Sequence, residues 1–313
     1  MRCRDGNKLN KGPDFLGVGA PRSGTTWLHV MLSQHPDIWM PPLKDVHYFD
    51  SIDPTIDEKG HVDSLSYRIK WMFFKRMKHY IGYSLKAFNK EFNKAKPDIR
   101  WDYAFFKPGG SLSWYQDLFD RPEEFKGIKG EITPAYIMLS PEIINTIRDQ
   151  LNVKKIIIML RNPLYSTWSS IEKQVRDGLI KNGDNMDDLV HRIKSPRLFG
   201  RYNHADNLDR WLSQYNRDDI FIGFFEELEQ NPVSLLSRVF SYLEVEDISS
   251  QLSQKASTRV NQSSGSLDAI PERIKYELAL LHHEQIGRLR QSIGSYSENW
   301  YQEIQEVLKN AKK

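Results

Sequence analysis

Short apolar runs alternate with amphipathic helical patterns along most of the chain. Four runs, at 15–20 (FLGVGA), 127–132 (GIKGEI), 155–160 (KIIIML) and 220–225 (IFIGFF), have the length typical of strands, and the last two are apolar enough to be buried on both faces. Helical periodicity fills much of the sequence between them. This alternation predicts one three-layer α/β domain, with a central parallel sheet flanked by helices.

Local signals indicate where several helices begin and end. The first helix is expected over about 25–34, because a Gly and Pro turn precedes it and His35-Pro36 ends it. Another begins after Ser140, a favoured cap residue, with Pro141 in its first turn. Two further helices, HADNLDRWLSQY and PVSLLSRVFSYL, flank the last apolar run.

One long stretch departs from the alternation. Residues 51–126 hold a lysine- and aromatic-rich segment in which Trp71, Phe74, Met77 and Ile81 would share one helical face. Such a face fits either a surface helix with solvated lysines or an insertion that faces an anionic acceptor. We expect an acceptor-side insertion here.

The carboxyl-terminal third also contains a change of pattern. Residues 249–269 are polar and loop-like, and helical periodicity returns over about 270–313, where the pair His282-His283 is expected on the surface. Because no composition shift separates two cores, we predict a single domain over 1–313.

Composition narrows the class of protein. The chain has 313 residues, 39% hydrophobic and 27% charged, which is typical of a soluble globular protein. A net charge of +3 is too small to indicate nucleic acid as a partner. Its single cysteine, Cys3, excludes an intramolecular disulfide. With no run near ~20 apolar residues and no apolar signal segment, a cytoplasmic protein without a membrane span is expected.

The loop after the first strand carries the most informative local pattern. Its sequence, GAPRSGTT from Gly19, has the spacing of the phosphate loop G-x-x-x-x-G-K-[ST], except that Thr25 replaces the lysine. Backbone N–H groups at the following helix start favour an anion, and Arg22 adds a cation. Because the strand at 155–160 ends in Arg161 instead of a metal-binding Asp, hydrolysis of ATP or GTP is disfavoured.

The segment FLGVGAPRSGTTWLHVMLSQHPDI, followed by PPLKDVHYFD, resembles the start of sulfotransferases that use 3′-phosphoadenosine 5′-phosphosulfate (PAPS). It is most similar to the bacterial branch related to glycosaminoglycan and tyrosyl-protein sulfotransferases. The resemblance implies a P-loop-like fold in which Arg22 contacts the 5′-phosphosulfate. The other donor-binding residues that it implies in this segment are Ser23, Gly24, Thr25, Thr26 and Trp27.

A second segment, IIIMLRNPLYSTWSSI, resembles the family's other donor motif. The resemblance implies that Arg161 and Ser169 hold the 3′-phosphate, a role that suits a strand-end guanidinium because it can bind phosphate through two N–H groups. A looser match in the polar stretch at 249–269 adds Arg259 and Ser264 to the donor site.

The base that deprotonates the acceptor is expected near residue 45. Relatives carry K-E-x-H-[FY]-F, with the glutamate as base, whereas this chain has KDVHYF from Lys44 to Phe49. Asp45 is thus the first candidate, although it is one methylene shorter and a salt bridge with Lys44 is its structural alternative. His47 is the second candidate, because histidine is the commonest general base at neutral pH. Glu131 is a third.

The segment KGEITPAYIM resembles a family segment that lies in the cleft, which implies that Glu131 and Tyr136 contact the acceptor together with Lys44 and His47. Ile132 stands where glycosaminoglycan-active relatives often carry lysine, which weakens the case for a heparan-like acceptor.

Together these features predict a PAPS-dependent sulfotransferase that releases 3′,5′-bisphosphoadenosine (PAP). We expect metal-independent, in-line transfer to a hydroxyl or amine of a carbohydrate or small molecule, with a carboxylate base. Two alternatives stay open, a small-molecule kinase on the same scaffold and a PAP-binding protein that has lost catalysis.

Overall fold

The computed structural model describes residues 12–56, 77, 99–107, 110–122, 124–180, 185–258 and 270–311. Most of the expected insertion lies outside the described residues, and so do the two weaker donor-site predictions, Arg259 and Ser264. The single-domain organisation and the insertion stay predictions.

Five parallel strands form the described sheet in the order β2-β3-β1-β4-β5. They are β1 (Phe15–Gly19), β2 (Ile38–Trp39), β3 (Ile128–Ile132), β4 (Lys155–Leu160) and β5 (Ile220–Phe224). The α/β class and the four predicted strands are confirmed. The sequence did not indicate β2, because two residues show no periodicity.

Helices connect the strands and cover both faces of the sheet. In chain order they are α1 (Thr25–Leu32), α2 (Phe49–Ile52), α3 (Ile99–Phe106), α4 (Leu112–Asp117), a 3-10 helix (Pro134–Met138), α5 (Pro141–Leu151), α6 (Pro163–Arg176), α7 (Met186–Ile193), α8 (Pro196–Tyr202), α9 (His204–Leu212), a second 3-10 helix (Arg217–Asp219), α10 (Phe225–Gln230), α11 (Pro232–Leu243), α12 (Ser253–Ala256), α13 (Glu272–Ile293) and α14 (Tyr296–Asn310). The predicted cap at Ser140 is confirmed, since its hydroxyl accepts the Ile143 N–H at 3.4 Å.

Alternate residues of the central strands belong to two separate hydrophobic cores. In β4, Ile156 and Ile158 pack in the core shared with α5, α6, α9 and α13, whereas Ile157 and Met159 pack in the core shared with α1 and α11. Because both faces of β4 are covered, its residues from Ile156 to Leu160 are all apolar and buried. The carboxyl ends of β1, β4 and β5 lie at one edge of the sheet, the usual location of ligand sites in open α/β folds.

The surface prediction for His282 is wrong, because this side chain is fully buried. Leu278 and Ile286 lie one turn before and after it on the buried face of α13. The amide of Gln285 donates to its Nδ1 at 3.0 Å, and its Nε2 lies 3.4 Å from the Thr167 hydroxyl. A second buried histidine, His204, donates from Nε2 to the Arg161 carbonyl at 2.9 Å.

The buried histidines His204 and His282 should lower the free energy of unfolding in mild acid. Burial lowers the pKa of His204 to about 4 and that of His282 to about 3, with the charge of His204 contributing to the latter. An unfolded histidine titrates at about 6.5. The unfolded state therefore binds more protons below pH ~6.5, so the free energy of unfolding should fall toward acid by up to about 1.4 kcal/mol per pH unit for each histidine.

Urea unfolding between pH 7.5 and 5 measures this slope. Replacing His282 by glutamine should flatten it, while the matched change at the neighbouring His283, which is only half-buried, should leave it unchanged. An equal slope in both variants would contradict the assignment.

Candidate active site

The loop between β1 and α1 has the backbone of a tight phosphate-binding turn. Arg22 and Gly24 adopt φ of 64° and 83°, and Gly24 directly precedes α1. The positive φ of Gly24 favours glycine, and a Cβ there would lie 2.7 Å from Leu228 Cδ2, so the Leu228 side chain of α10 would have to shift. Ser23 and Thr25 are buried beside it. This geometry presents the start of α1 to an anion.

Arg22 joins this loop to α6. Its Nε and Nη2 donate to the Ser169 hydroxyl at 3.0 and 2.8 Å, and Ser169 is buried on α6. The sequence predicted these two residues at opposite ends of the donor. The structure brings the two segments that carry these predicted donor motifs into direct contact.

Arg161 is a second arginine that lies next to Arg22. It follows β4, is 4% exposed, and donates from Nη1 to the Arg22 carbonyl at 3.4 Å. Its guanidinium lies 4.2 Å from the centroid of the Phe225 ring, a cation–π distance. Burial lowers its pKa, with the charge of Arg22 acting in the same direction.

No carboxylate of the described chain forms a salt bridge with Arg22 or Arg161. Two partly desolvated cations of like charge, held side by side at a phosphate-type loop, favour a phosphorylated ligand that neutralises both.

The carboxyl-terminal helix α14 supports the residues that follow Arg161. The Asn162 amide side chain and the Tyr165 hydroxyl both donate to Glu303. Glu226 of α10 accepts the Asn162 backbone N–H at 3.2 Å and the Trp300 indole N–H at 2.9 Å. Sequence reasoning did not find this support, since no local motif links residues near 162 to residues near 300.

Trp27 forms a bridge within the predicted donor region. It is buried on α1, and its indole N–H donates to the Ala256 carbonyl of α12 at 2.9 Å. It therefore holds α12, part of the polar stretch at 249–269, against the helix that begins at the phosphate loop. Thr26, also predicted for the donor site, is half-buried in the first turn of α1.

Asp45 and Lys44 form the salt bridge that was the structural alternative for this position. Lys44 Nζ lies 2.6 Å from Asp45 Oδ1, and the side chains are 16% and 29% exposed. Burial opposes ionisation of Asp45, but the charges of Lys44 and His47 and the Lys44 hydrogen bond outweigh it and hold its pKa below the ordinary value. Asp45 is therefore ionised, and able to accept a proton, at neutral pH.

His47 is also arranged to accept a proton. Its Nδ1 lies 2.8 Å from Asp50 Oδ2. A hydrogen bond from Nδ1 to this carboxylate leaves the Nε2 lone pair as the acceptor, the tautomer that a general base needs.

Sequence reasoning missed His29. It lies on α1, and burial together with Lys44 lowers its pKa to about 4, so it is a neutral imidazole beside the Lys44–Asp45 pair. In the sequence His29 stands one turn after Thr25, on the helix that starts at the phosphate loop. This position could have identified it as a residue near the site.

Glu131 and Tyr136 lie beneath the Asp45–His47 loop and are buried. Oε1 of Glu131 accepts the hydroxyls of Tyr115 at 2.6 Å and Tyr136 at 3.0 Å, and Oε2 accepts the Thr133 hydroxyl at 2.9 Å. Burial raises the pKa of Glu131 to about 7, even though these hydrogen bonds oppose the shift. Glu131 and Tyr136 thus belong to a buried hydrogen-bonded network next to the loop, and their contact with the acceptor stays a prediction.

Metal-ligand clusters and membrane-spanning helices are both absent from the described residues. No three His, Cys, Asp or Glu side chains in those ranges gather closely enough to hold a metal ion. Among the described helices, none has the length and apolar character needed to cross a bilayer.

The sheet order and the loop define an α/β protein of the phosphate-loop type. The chain also matches the sulfotransferase family model over residues 13–249, more than half of its length. It belongs to the sulfotransferase family, and is therefore a transferase of that type. No curated protein matches it.

Solved structures share its fold at low sequence identity. A sulfotransferase from Alicyclobacillus acidocaldarius is 22% identical, with a TM-score of 0.61 over 92% of this chain and 98% of that chain. The mouse sulfotransferase SULT7A1, solved in complex with PAP, is 14% identical, with a TM-score of 0.50 over 88% of this chain and 84% of that chain. These likenesses confirm the predicted P-loop-like architecture.

Proposed function

We propose that the protein transfers a sulfuryl group from PAPS to a hydroxyl or amine of a carbohydrate or small-molecule acceptor. The observation that carries this proposal is the contact of Arg22 with Ser169 and of Arg161 with the Arg22 carbonyl. Both predicted donor motifs meet there, and neither arginine forms a salt bridge with a carboxylate of the described residues. PAP in the related mouse structure supports this choice of donor.

The donor has two phosphate-bearing ends, and the residues fit both. The 5′-phosphosulfate would lie against Arg22 and the start of α1, and the 3′-phosphate against Arg161 and Ser169. A guanidinium suits each end because it supplies several N–H donors in one plane.

In the proposed reaction the acceptor oxygen or nitrogen attacks sulfur, in line with the bridging oxygen to the 5′-phosphate. The new bond to sulfur forms as the bridging S–O bond breaks, and PAP leaves. Arg22 stabilises the charge that develops on the bridging oxygen. Asp45 takes the acceptor proton, with His47 as the alternative, and Lys44 orients the Asp45 carboxylate. We propose that no metal takes part.

The residue at position 132 bears on the identity of the acceptor. Ile132 is apolar and buried in the core with Phe15 and Trp27, so this position offers no cation to an anionic acceptor. This placement supports an acceptor other than a heparan-like chain. The expected insertion at 51–126 would supply the remaining contacts, and the cytoplasmic location stays part of the proposal.

Titration calorimetry with PAP and with Mg-ATP tests the donor assignment. PAP should bind and Mg-ATP should bind far more weakly, because Thr25 replaces the lysine of nucleotide triphosphatases and Arg161 replaces their metal-binding carboxylate. Preference for Mg-ATP would support the kinase. Tight PAP binding, with no transfer from PAPS to a panel of phenols, sugars and amines, would favour the inactive PAP-binding protein.

A further inference from the structure

The backbone of the Asp45–His47 loop is held at both ends, at one end by the last residue of β3 and at the other by the 3-10 helix that follows β3. The Asp45 N–H donates to the Ile132 carbonyl at 3.2 Å. The Tyr48 N–H donates to the Tyr136 hydroxyl oxygen at 3.0 Å. Both candidate bases lie between these two hydrogen bonds.

The conformation of this loop needs such support. Asp45 and His47 have φ of 67° and 58°, in the left-handed region that residues with a Cβ rarely adopt. Residues in this region are strained and persist only where surrounding contacts hold them. A weakened fastening would therefore let the loop relax and would move both candidate bases.

Tyr136 is suited to hold the loop because its hydroxyl has a fixed direction. Its proton is donated to Glu131 Oε1 at 3.0 Å, so an oxygen lone pair is free to accept the Tyr48 N–H. The side chains of Tyr136 and Glu131 are both buried, which excludes water as a competing hydrogen-bond partner.

We propose that Tyr136 is a positioning residue that fixes Asp45 and His47 through the Tyr48 amide, without contacting donor or acceptor. This inference rests on the proposed function. Glu131 orients the Tyr136 hydroxyl for this purpose. Glu131 and Tyr136, which the sequence predicted to contact the acceptor, thus affect the reaction by positioning the Asp45–His47 loop.

Tyr115 provides a matched control. It is equally buried, and its hydroxyl donates to the same Glu131 oxygen, at 2.6 Å. Its ring stacks on the Tyr48 ring, with centroids 4.9 Å apart and planes 19° from parallel. Among the described residues its hydroxyl bonds to Glu131 and not to the loop backbone, so of these two tyrosines Tyr136 alone makes both contacts.

The test compares Tyr136→Phe with Tyr115→Phe. Each removes one hydroxyl from Glu131, and only the first removes the acceptor of the Tyr48 N–H. We expect Tyr136→Phe to lower kcat by about 10- to 100-fold, since a misplacement of about 1 Å can cost that much, with Kd for PAP unchanged. Tyr115→Phe should stay within about threefold of the wild type, because the loop keeps both fastenings.

Hydrogen exchange of the peptide over residues 44–49 gives a readout independent of activity. Tyr136→Phe should speed exchange there at least tenfold and Tyr115→Phe should not. Equal effects of the two variants on kcat and exchange would overturn the proposal. So would a Tyr136→Phe variant with the kcat and the exchange rate of the wild type. If the wild type failed to bind PAP, the proposed function would fail, while the exchange difference would still report whether Tyr136 holds the loop.

Discussion

Replacing Arg161 by alanine is expected to weaken PAP binding by about a hundredfold. A hydrogen bond to a charged group contributes about 1.5–3 kcal/mol, and the buried guanidinium can supply two such bonds to the 3′-phosphate. A hundredfold loss corresponds to about 2.7 kcal/mol. This value is close to the ~3 kcal/mol that two such hydrogen bonds contribute at the least. Titration calorimetry with PAP measures the loss directly.

A ligand without the 3′-phosphate provides the control for this prediction. Adenosine 5′-phosphosulfate should bind the wild type and the variant alike, and an undiminished effect there would contradict the 3′ assignment. Arg148, a surface arginine paired with Asp149 at 2.7 Å, is the matched control variant. Its replacement by alanine should leave PAP binding unchanged.

Replacing Asp45 by asparagine should lower turnover by about 10²- to 10⁴-fold, the range that general bases supply. The amide is nearly the same shape and keeps an oxygen for Lys44, so the loop should hold its conformation. It cannot take the acceptor proton. Single-turnover transfer from PAPS measures the rate, and calorimetry should show unchanged PAP affinity.

His47→Asn is the companion experiment. If Asp45 is the base, this change should lower the rate much less than Asp45→Asn does, because the Lys44–Asp45 pair stays intact. A near-normal rate for Asp45→Asn with a large loss for His47→Asn would transfer the base role to His47, with Asp50 as its orienting partner.

Much of the fold could be predicted because its signals are local. The apolar run at 155–160 and the cap at Ser140 each depend on a few neighbouring residues, and both are confirmed. The burial of His282 was missed because two adjacent histidines look polar in sequence. Leu278 and Ile286, one turn away on either side, already marked the buried face of the helix.

The candidate site was less accessible from the sequence, because its contacts join distant segments. Arg22 and Ser169 are 147 positions apart, and nothing in either motif indicates that they touch. Likewise, Glu131 and Tyr136 belong to a motif, but only the structure shows that they lie under the Asp45–His47 loop.

The hydrogen bonds that Glu303 accepts from Asn162 and Tyr165 bear on protein engineering. The family match ends at residue 249, yet α14, from Tyr296 to Asn310, packs behind the strand end that carries Arg161. A recombinant fragment trimmed to the matched region would retain the segments that carry Arg22, Arg161 and Ser169, and it would lose the helix that supports the residues after Arg161. Expression boundaries for this protein should therefore extend at least to residue 310, with affinity tags joined through a flexible linker.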